Sequence, residues 1–284
     1  MSEECNHDCE HCGKHHASEE ECRAAERREA VLGAIKHKLV VLSGKGGVGK
    51  STVAVNLAFG LASSGVKVGL LDVDLHGPSI PTMLGLKGSA LDVEDGLIVP
   101  HELSGVKVVS VDFFLPDPNQ AVIWRGPMKN AVIQQLLSDV TWGELDYLVV
   151  DCPPGTGDEP LSICQLLQDG DVSAVVVTTP QEVAAADVRK SLDFCEQLKL
   201  PVRGVLENMS GFVCPHCGKV TYIFKQGGGE RLAEEAGVPF LGRIPIDPSV
   251  GEACDEGTPF LQANRDSAAA KAFVPVVNTI LQEK

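Results

Sequence analysis

The segment Gly44-Lys-Gly-Gly-Val-Gly-Lys-Ser51 is the feature that most constrains the fold of this 284-residue chain. Its spacing is that of a phosphate-binding loop, which requires a buried strand before it and a helix after it. An apolar strand is predicted at 38–43 and a helix at 51–64, so both flanks are present. Backbone N–H groups of such a loop, aided by the positive end of the helix, hold phosphate groups. The predicted contacts along the loop are Gly44, Lys45, Gly46, Gly47, Val48, Gly49, Lys50, Ser51 and Thr52.

The loop predicts that the chain binds ATP together with Mg²⁺. Lys50 is expected to reach the β- and γ-phosphates, and the Ser51 hydroxyl is expected to bind the magnesium ion. Lys45 is an additional lysine, directly after the first glycine, that an ordinary phosphate loop does not need.

Strand-like and helix-like segments alternate from residue 38 to the end of the chain. This order predicts an α/β protein with the three-layer fold of P-loop NTPases, in which helices cover both faces of a mostly parallel central sheet. Further strands are predicted at 66–71, 106–111, 147–151, 174–178, 202–208 and 240–244, and further helices at 128–139, 182–198, 229–236 and 266–281.

Composition excludes several classes of function. The chain has 24 Lys and Arg against 39 Asp and Glu, a net charge of −15, and only 5% aromatic residues, so nucleic acid is not expected as a partner. No apolar run approaches the ~20 residues that span a bilayer, and the first residues lack a signal pattern. We therefore expect a cytoplasmic protein without a membrane partner. In that reducing compartment the ten cysteines favour metal ligands or buried thiols over disulfides.

Carboxylates follow two of the predicted strands. Asp72 and Asp74 follow the strand at 66–71, and Asp151 ends the strand at 147–151. Ligands of open α/β sheets collect at these strand ends. Asp151 is predicted to hold the magnesium shell, with Gly155 in a turn that senses the γ-phosphate. Asp74 is the candidate that orients the attacking water, and Asp72 is a candidate for magnesium or interface contacts.

A Cys-Pro-His-Cys segment at Cys214 and Cys217 is a candidate metal site. Two thiolates at this spacing grip one side of a metal ion or cluster. Four-coordinate zinc or a 4Fe-4S cluster needs two further ligands, which a second copy of the chain would supply in a symmetric dimer. A half-buried pair of reduced thiols is the alternative.

The motifs together resemble the Mrp/Nbp family of iron–sulfur cluster carrier ATPases. The resemblance rests on the phosphate loop, on Asp72-Val-Asp-Leu-His-Gly-Pro-Ser79, Trp124-Arg-Gly-Pro-Met128, Asp151-Cys-Pro-Pro-Gly-Thr-Gly-Asp158 and Glu207-Asn-Met-Ser210, and on the Cys214–Cys217 pair. It extends from about residue 38 to residue 260. With Lys45, the loop resembles that of the deviant Walker class, which includes nitrogenase iron protein and the cell-division positioning ATPases.

The resemblance implies an ATP-dependent homodimer in which Lys45 crosses to the partner's γ-phosphate. It implies that a labile 4Fe-4S cluster bridges Cys214 and Cys217 of two chains and is delivered to apoproteins, with ATP binding and hydrolysis as the switch. Asn208, Pro245 and Asp247 would lie at the adenine. The alternatives are an ATP-driven iron–sulfur reductase, a positioning ATPase and a zinc-bridged dimer. Arg125 has no predicted role.

We expect residues 1–37 to form a Cys/His-rich extension with a linker helix and residues 38–284 to form the ATPase domain. Cys5, Cys9, Cys12 and Cys22 resemble in kind the four-cysteine extension of the Nbp branch, but their spacing differs. They are expected to bind a second cluster, or zinc, and neighbouring histidines could replace some of them. A disordered tail is the alternative. The other four thiols, at Cys152, Cys164, Cys195 and Cys254, are expected to pack in the interior.

Overall fold

The computed structural model describes residues 19–75, 77–114, 126–168 and 170–282. Within these ranges the chain forms twelve strands and ten α-helices, with one short 3-10 helix at Val111–Phe114. The strands are β1 (Ile35–Ser43), β2 (Val68–Asp72), β3 (Asp92–Glu94), β4 (Leu97–Val99), β5 (His101–Leu103), β6 (Val106–Ser110), β7 (Leu145–Asp151), β8 (Asp171–Thr178), β9 (Val202–Glu207), β10 (Phe212–Val213), β11 (Val220–Thr221) and β12 (Phe240–Arg243). The helices are α1 (Glu19–Gly33), α2 (Lys50–Ser63), α3 (Ile80–Met83), α4 (Gly126–Ser138), α5 (Asp158–Leu167), α6 (Glu182–Gln197), α7 (Gly228–Ala236), α8 (Pro248–Asp255), α9 (Phe260–Ala263) and α10 (Ala268–Gln282).

An eight-stranded sheet organises the described residues, in the order β12-β9-β8-β1-β7-β2-β6-β5. All pairs are parallel except β5 with β6, which closes one edge as an antiparallel strand. The inner strands are continuous Val- and Leu-rich runs because both of their faces are covered. In β1, every residue from Lys38 to Ser43 is buried. The predicted mostly parallel sheet is confirmed.

Helices cover both faces of this sheet, as predicted. On one face, α2 and α10 pack through Phe59, Leu57 and Phe273. On the other, α4 and α5 pack through residues such as Leu136 and Ile163. Leu32 of α1 joins the second core, and β1 begins at Ile35, three residues before the expected start of the domain. No helix in the described part of the chain is long and apolar enough to cross a bilayer.

The structure contains elements that the sequence reading did not predict. Helix α5 follows the Pro-Pro-Gly turn, where only a glycine turn was expected. Helix α8 was also missed, although Asp247 followed by Pro248 is a recognisable start: an aspartate that caps the first turn and a proline in the first helical position. The short antiparallel strand β5 was missed because three residues carry too little periodicity to be recognised.

Sheet order determines where the site lies. Strands β1, β7 and β2 are neighbours, and Asp151 lies level with Asp72 on one side and with Val41 on the other. The phosphate loop leaves the carboxyl end of β1. The phosphate loop, Asp72 and Asp151 therefore all lie where the parallel strands end, on the carboxyl-terminal side of the sheet.

Candidate nucleotide site and cysteine hairpin

The phosphate loop occupies the turn between β1 and α2. Gly47 and Gly49 both have a φ of 80°, a left-handed conformation that favours glycine. Gly49 directly precedes the first turn of α2, whose free N–H groups make it an anion site. The loop, Asp74 and Pro154 line a cavity of about 260 Å³. Seven of the nine residues predicted as loop contacts line this cavity, and Gly44 and Val48 do not.

Lys50 is buried and paired with carboxylates. Its Nζ lies 2.5 Å from Oδ1 of Asp151 and 3.7 Å from Oδ2 of Asp74. Burial alone would lower the pKa of Lys50, but Asp151 and Asp74 hold that pKa above its usual value. The lysine is therefore a fixed positive charge beside the loop.

Asp72 is completely buried beneath Asp74. Its Oδ1 accepts a hydrogen bond from the Asp74 backbone N–H at 3.1 Å, and its Oδ2 accepts one from the Ser110 hydroxyl at 3.0 Å. Burial and the neighbouring Asp151 carboxylate raise the pKa of Asp72 well above its usual range. In this arrangement Asp72 supports the backbone of Asp74. The sequence reading missed the contribution of Ser110, which lies at the end of β6.

Asp151 keeps one of its two carboxylate oxygens without a hydrogen-bond partner among the described residues. This oxygen, Oδ2, is buried. The Ser51 hydroxyl contacts the Asp151 carboxyl and lies 3.5 Å from Lys50 Nζ. A hard cation such as Mg²⁺ prefers oxygen ligands of this kind, so these side chains fit the ion.

Gly155 ties the loop after β7 to the phosphate loop. Its backbone N–H donates to the Ser43 carbonyl oxygen at 2.8 Å, and its φ of 92° favours glycine. A movement of the loop after Asp151 would therefore shift the backbone where β1 ends.

The three residues assigned to the adenine each make different local contacts. Asn208 Nδ2 donates to the Val48 carbonyl oxygen at 2.9 Å. Asp247 caps α8, where its Oδ1 accepts from the Ser249 N–H at 3.0 Å and from the Ser249 hydroxyl at 2.5 Å. Pro245 is half-buried in the segment between β12 and α8.

The Cys214–Cys217 pair lies at the tip of a hairpin formed by β10 and β11. The Cys214 N–H donates to the Lys219 carbonyl oxygen, and the Gly218 N–H donates to the Cys214 carbonyl oxygen, both at 2.9 Å. Cys217 is exposed and Cys214 half-exposed. Backbone N–H groups of His216 and Cys217, with the Cys217 thiol, lower the pKa of Cys214 below its usual value. The tight turn therefore favours the thiolate form of Cys214, which is the form in which a cysteine can bind a metal.

The remaining cysteines divide into described and undescribed ones. Cys152, Cys164 and Cys195 are buried, as expected, and burial raises the pKa of Cys164 and of Cys195 to about 12. Cys254 is only half-buried. Cys5, Cys9, Cys12 and Arg125 lie outside the described residues, and of Cys22 only the backbone, within α1, is described. Among the described residues, no three His, Cys, Asp or Glu side chains cluster closely enough to hold a metal ion.

Known proteins resemble this chain in sequence over most of its length. A family profile described as "ParA: NUBPL iron-transfer P-loop NTPase" matches residues 34–281. An "iron-sulfur cluster carrier protein" of Saccharolobus solfataricus is 51% identical over 249 residues, 87% of this chain and 84% of that relative. The human "cytosolic Fe-S cluster assembly factor NUBP2" is 51% identical over 254 residues, 88% of this chain and 94% of that relative.

A solved structure shares both fold and sequence. It is a nucleotide-binding protein from Archaeoglobus fulgidus in complex with ADP, with cobalt found in it. Its TM-score is 0.75 and its identity 39%, covering 88% of this chain and 97% of that one. Profile, sequence relatives and structural neighbour agree with the loop geometry and the sheet order, and the chain is a member of the NUBPL iron-transfer P-loop NTPase family.

Proposed function

We propose that this protein is an ATP-dependent carrier that holds a labile 4Fe-4S cluster between two copies of the chain and delivers it to apoproteins. The observation that carries the proposal is the Cys214–Cys217 pair at a hairpin tip, where Cys217 is exposed, Cys214 is half-exposed and the pKa of Cys214 is lowered. Thiolates in this state are ligands for a soft metal centre. Relatives about half identical to the chain are named as carriers or assembly factors of such clusters.

Two cysteines are half of a four-ligand site, and a homodimer would complete it. Cys214 and Cys217 of each chain would supply two thiolates to one shared cluster. Three apolar side chains close to the pair in sequence support an interface there: Val220, Tyr222 and Ile223 are 48%, 48% and 55% exposed. Exposed apolar side chains grouped together are characteristic of protein contact surfaces.

The nucleotide side of the function uses the residues around the phosphate loop. Lys50 would bind the β- and γ-phosphates, and Lys45 would reach the γ-phosphate in the partner. Asp74, held by Asp72, would orient the attacking water. Ser51 and Asp151 would hold Mg²⁺, which neutralises charge that develops on the phosphates. Asn208, Pro245 and Asp247 are proposed for the adenine, and Gly155 for sensing the γ-phosphate.

Three further expectations belong to the proposal. The protein would act in the cytoplasm on apo iron–sulfur proteins, without nucleic acid or membrane partners. The extension that carries Cys5, Cys9, Cys12 and Cys22 would bind a second cluster or zinc. The domain that follows it, from residue 38, would carry the ATPase.

The test is anaerobic reconstitution of the full chain with iron and sulfide, followed by transfer to an apo iron–sulfur acceptor with and without MgATP. Wild type should develop visible absorption, bind iron and sulfide as a dimer, and activate the acceptor. Cys214→Ala/Cys217→Ala should lose the transferable cluster. Cys254→Ala, a matched loss of a thiol outside the pair, should transfer like wild type.

Two results would contradict the proposal. If the double variant holds and donates as many clusters as wild type, the bridging site is wrong. If wild type purified anaerobically binds zinc at the pair and reconstitution yields no transferable iron, the zinc-bridged dimer replaces the carrier.

A further inference from the structure

The carboxylate of Glu207, at the end of β9, accepts several hydrogen bonds and pairs with an arginine. It is completely buried. Its Oε1 accepts hydrogen bonds from the Ser210 hydroxyl at 2.5 Å and the Gly227 N–H at 3.2 Å, and its Oε2 accepts from the Gly229 N–H at 2.7 Å. Arg243 Nε lies 3.5 Å from Oε1. A buried carboxylate is stable only when its lone pairs are satisfied in this way.

These bonds close the base of the cysteine hairpin. The chain leaves the sheet after Glu207, makes the hairpin that carries Cys214 and Cys217, and returns at Gly227, the residue directly before α7. Ser210 lies on the outgoing arm and Gly227 on the returning arm, so one carboxylate joins both. The Gly229 contact adds the first turn of α7, whose free N–H groups favour a negative charge.

The next residue, Asn208, contacts the phosphate loop. Its Nδ2 donates to the Val48 carbonyl oxygen at 2.9 Å, and its backbone N–H donates to the Thr178 carbonyl oxygen at 2.8 Å. The Asn208 side chain packs tightly against the loop: a Cβ built on Gly49 would lie 2.3 Å from Asn208 Nδ2. Met209 then turns the chain with a φ of 55°, a conformation that a non-glycine side chain adopts only at a cost.

We propose that Glu207 is a positioning residue that couples nucleotide binding at the phosphate loop to the geometry of the Cys214–Cys217 pair. The inference deepens the proposed function and rests on it. A movement of the Val48 carbonyl shifts Asn208 because the contact is tight, and Asn208 is covalently joined to Glu207. The buried carboxylate then carries the shift to both arms of the hairpin, since packed interiors transmit displacement instead of absorbing it.

The test measures the coupling itself, without a cluster. The labelling rates of Cys214 and Cys217 by a thiol reagent are followed by peptide mass spectrometry, with and without saturating MgADP. ADP fills the loop but has no γ-phosphate for a partner's Lys45, so any effect does not require ATP-induced pairing of two chains. In wild type we expect MgADP to change the labelling rate by at least about fivefold, the lower end of coupling between sites in proteins.

Two variants interrupt the path. Glu207→Gln keeps the shape of the side chain but removes an acceptor for the N–H groups, and Ser210→Ala removes a single hydroxyl and keeps the fold accessible to measurement if the first variant unfolds. Both should bind ADP yet label at one rate with and without it. Ser138→Ala, a buried hydroxyl lost at the end of α4, should keep the wild-type response.

The proposal is overturned if MgADP leaves the wild-type labelling rate unchanged, or if Ser210→Ala and a folded Glu207→Gln respond to MgADP like wild type. Because labelling is measured on cluster-free protein, its outcome is separate from that of cluster transfer. A coupled protein that transfers no cluster contradicts the proposed function alone, and a carrier with uncoupled labelling contradicts this inference alone.

Discussion

The ammonium group of Lys50 lies 2.5 Å from Oδ1 of Asp151, a pairing of two buried side chains 101 residues apart in sequence. The lysine of the phosphate loop is therefore held by the carboxylate that ends β7, and a bound nucleotide would meet a charge that is already oriented. Preorganised charge of this kind stabilises a transition state without reorganisation during the reaction.

Replacing Lys50 by alanine should lower the kcat of ATP hydrolysis by about 100-fold or more, because the γ-phosphate loses its main cationic partner. The same change leaves the buried Asp151 without its cation, which typically costs about 3–5 kcal/mol of unfolding free energy. Steady-state ATPase assays and thermal unfolding test both effects. Lys36→Ala is the matched control: Lys36 pairs with Asp146 at 2.8 Å but is exposed, so both properties should change little. Undiminished turnover of Lys50→Ala would refute the assigned nucleotide site.

Replacing Asp72 by asparagine should stabilise the folded protein at neutral pH. Because burial and Asp151 raise the pKa of Asp72, the folded state holds the proton more tightly than the unfolded chain does. This group therefore favours folding at low pH, and that contribution is lost as the pH rises from the usual pKa through the raised one. Asparagine keeps an acceptor for the Asp74 N–H, and its uncharged Nδ2 can donate to the Ser110 hydroxyl oxygen in place of accepting from that hydroxyl.

We expect Asp72→Asn to raise the neutral-pH melting temperature by about 2–4 °C, or about 1 kcal/mol, and to lose this advantage in acid. Melting curves across pH measure it. Asp112→Asn, a less buried carboxyl whose pKa burial also raises, should show a smaller shift in the same direction. An unchanged or lower melting temperature for Asp72→Asn at neutral pH would contradict the account of this carboxyl.

Two glycines of the phosphate loop should differ sharply in their tolerance of alanine. A Cβ at Gly44 would lie 2.4 Å from the backbone C and O atoms of Asp187 in α6, and backbone atoms cannot move aside cheaply. Gly44→Ala should therefore lower the unfolding free energy by about 1–3 kcal/mol or more. A Cβ at Gly46 meets nothing within 4 Å, so Gly46→Ala should change the unfolding free energy little. Urea unfolding of the two variants compares them directly, and equal losses would exclude a close approach of α6 to the loop.

Cys214 and Cys254 should ionise at different pH. Hydrogen bonds from the His216 and Cys217 N–H groups lower the pKa of Cys214, whereas burial and Asp255 raise the pKa of Cys254. Since the thiolate is the reactive form, alkylation of Cys214 should reach half its maximal rate at a lower pH than alkylation of Cys254. Peptide mass spectrometry after timed alkylation gives both profiles from one sample. Coinciding profiles would mean that the hairpin turn does not prepare Cys214 as a ligand.

The sequence determined the features that depend on neighbouring residues. Eight positions from Gly44 to Ser51 define the phosphate loop, and alternating strand and helix patterns predict the three layers, because turn chemistry and periodicity act over short distances. The Cys214–Cys217 spacing likewise announces a two-thiolate turn. Strand β5 escaped prediction because three residues carry too little periodicity, whereas α5 was missed because the segment after Asp151 was interpreted only as a glycine turn.

Tertiary structure decided which of these local features meet. Asp72 can lie level with Asp151 only because β2 and β7 are neighbours, and Asn208 reaches Val48 only because β9 lies two strands from β1. The sequence motifs assign Asp72 and Asn208 to the nucleotide site but assign no role to Glu207. Its function as the anchor of the hairpin depends on strand order and on the return of the chain at Gly227, and such contacts arise from the packing of the whole sheet and not from any local pattern.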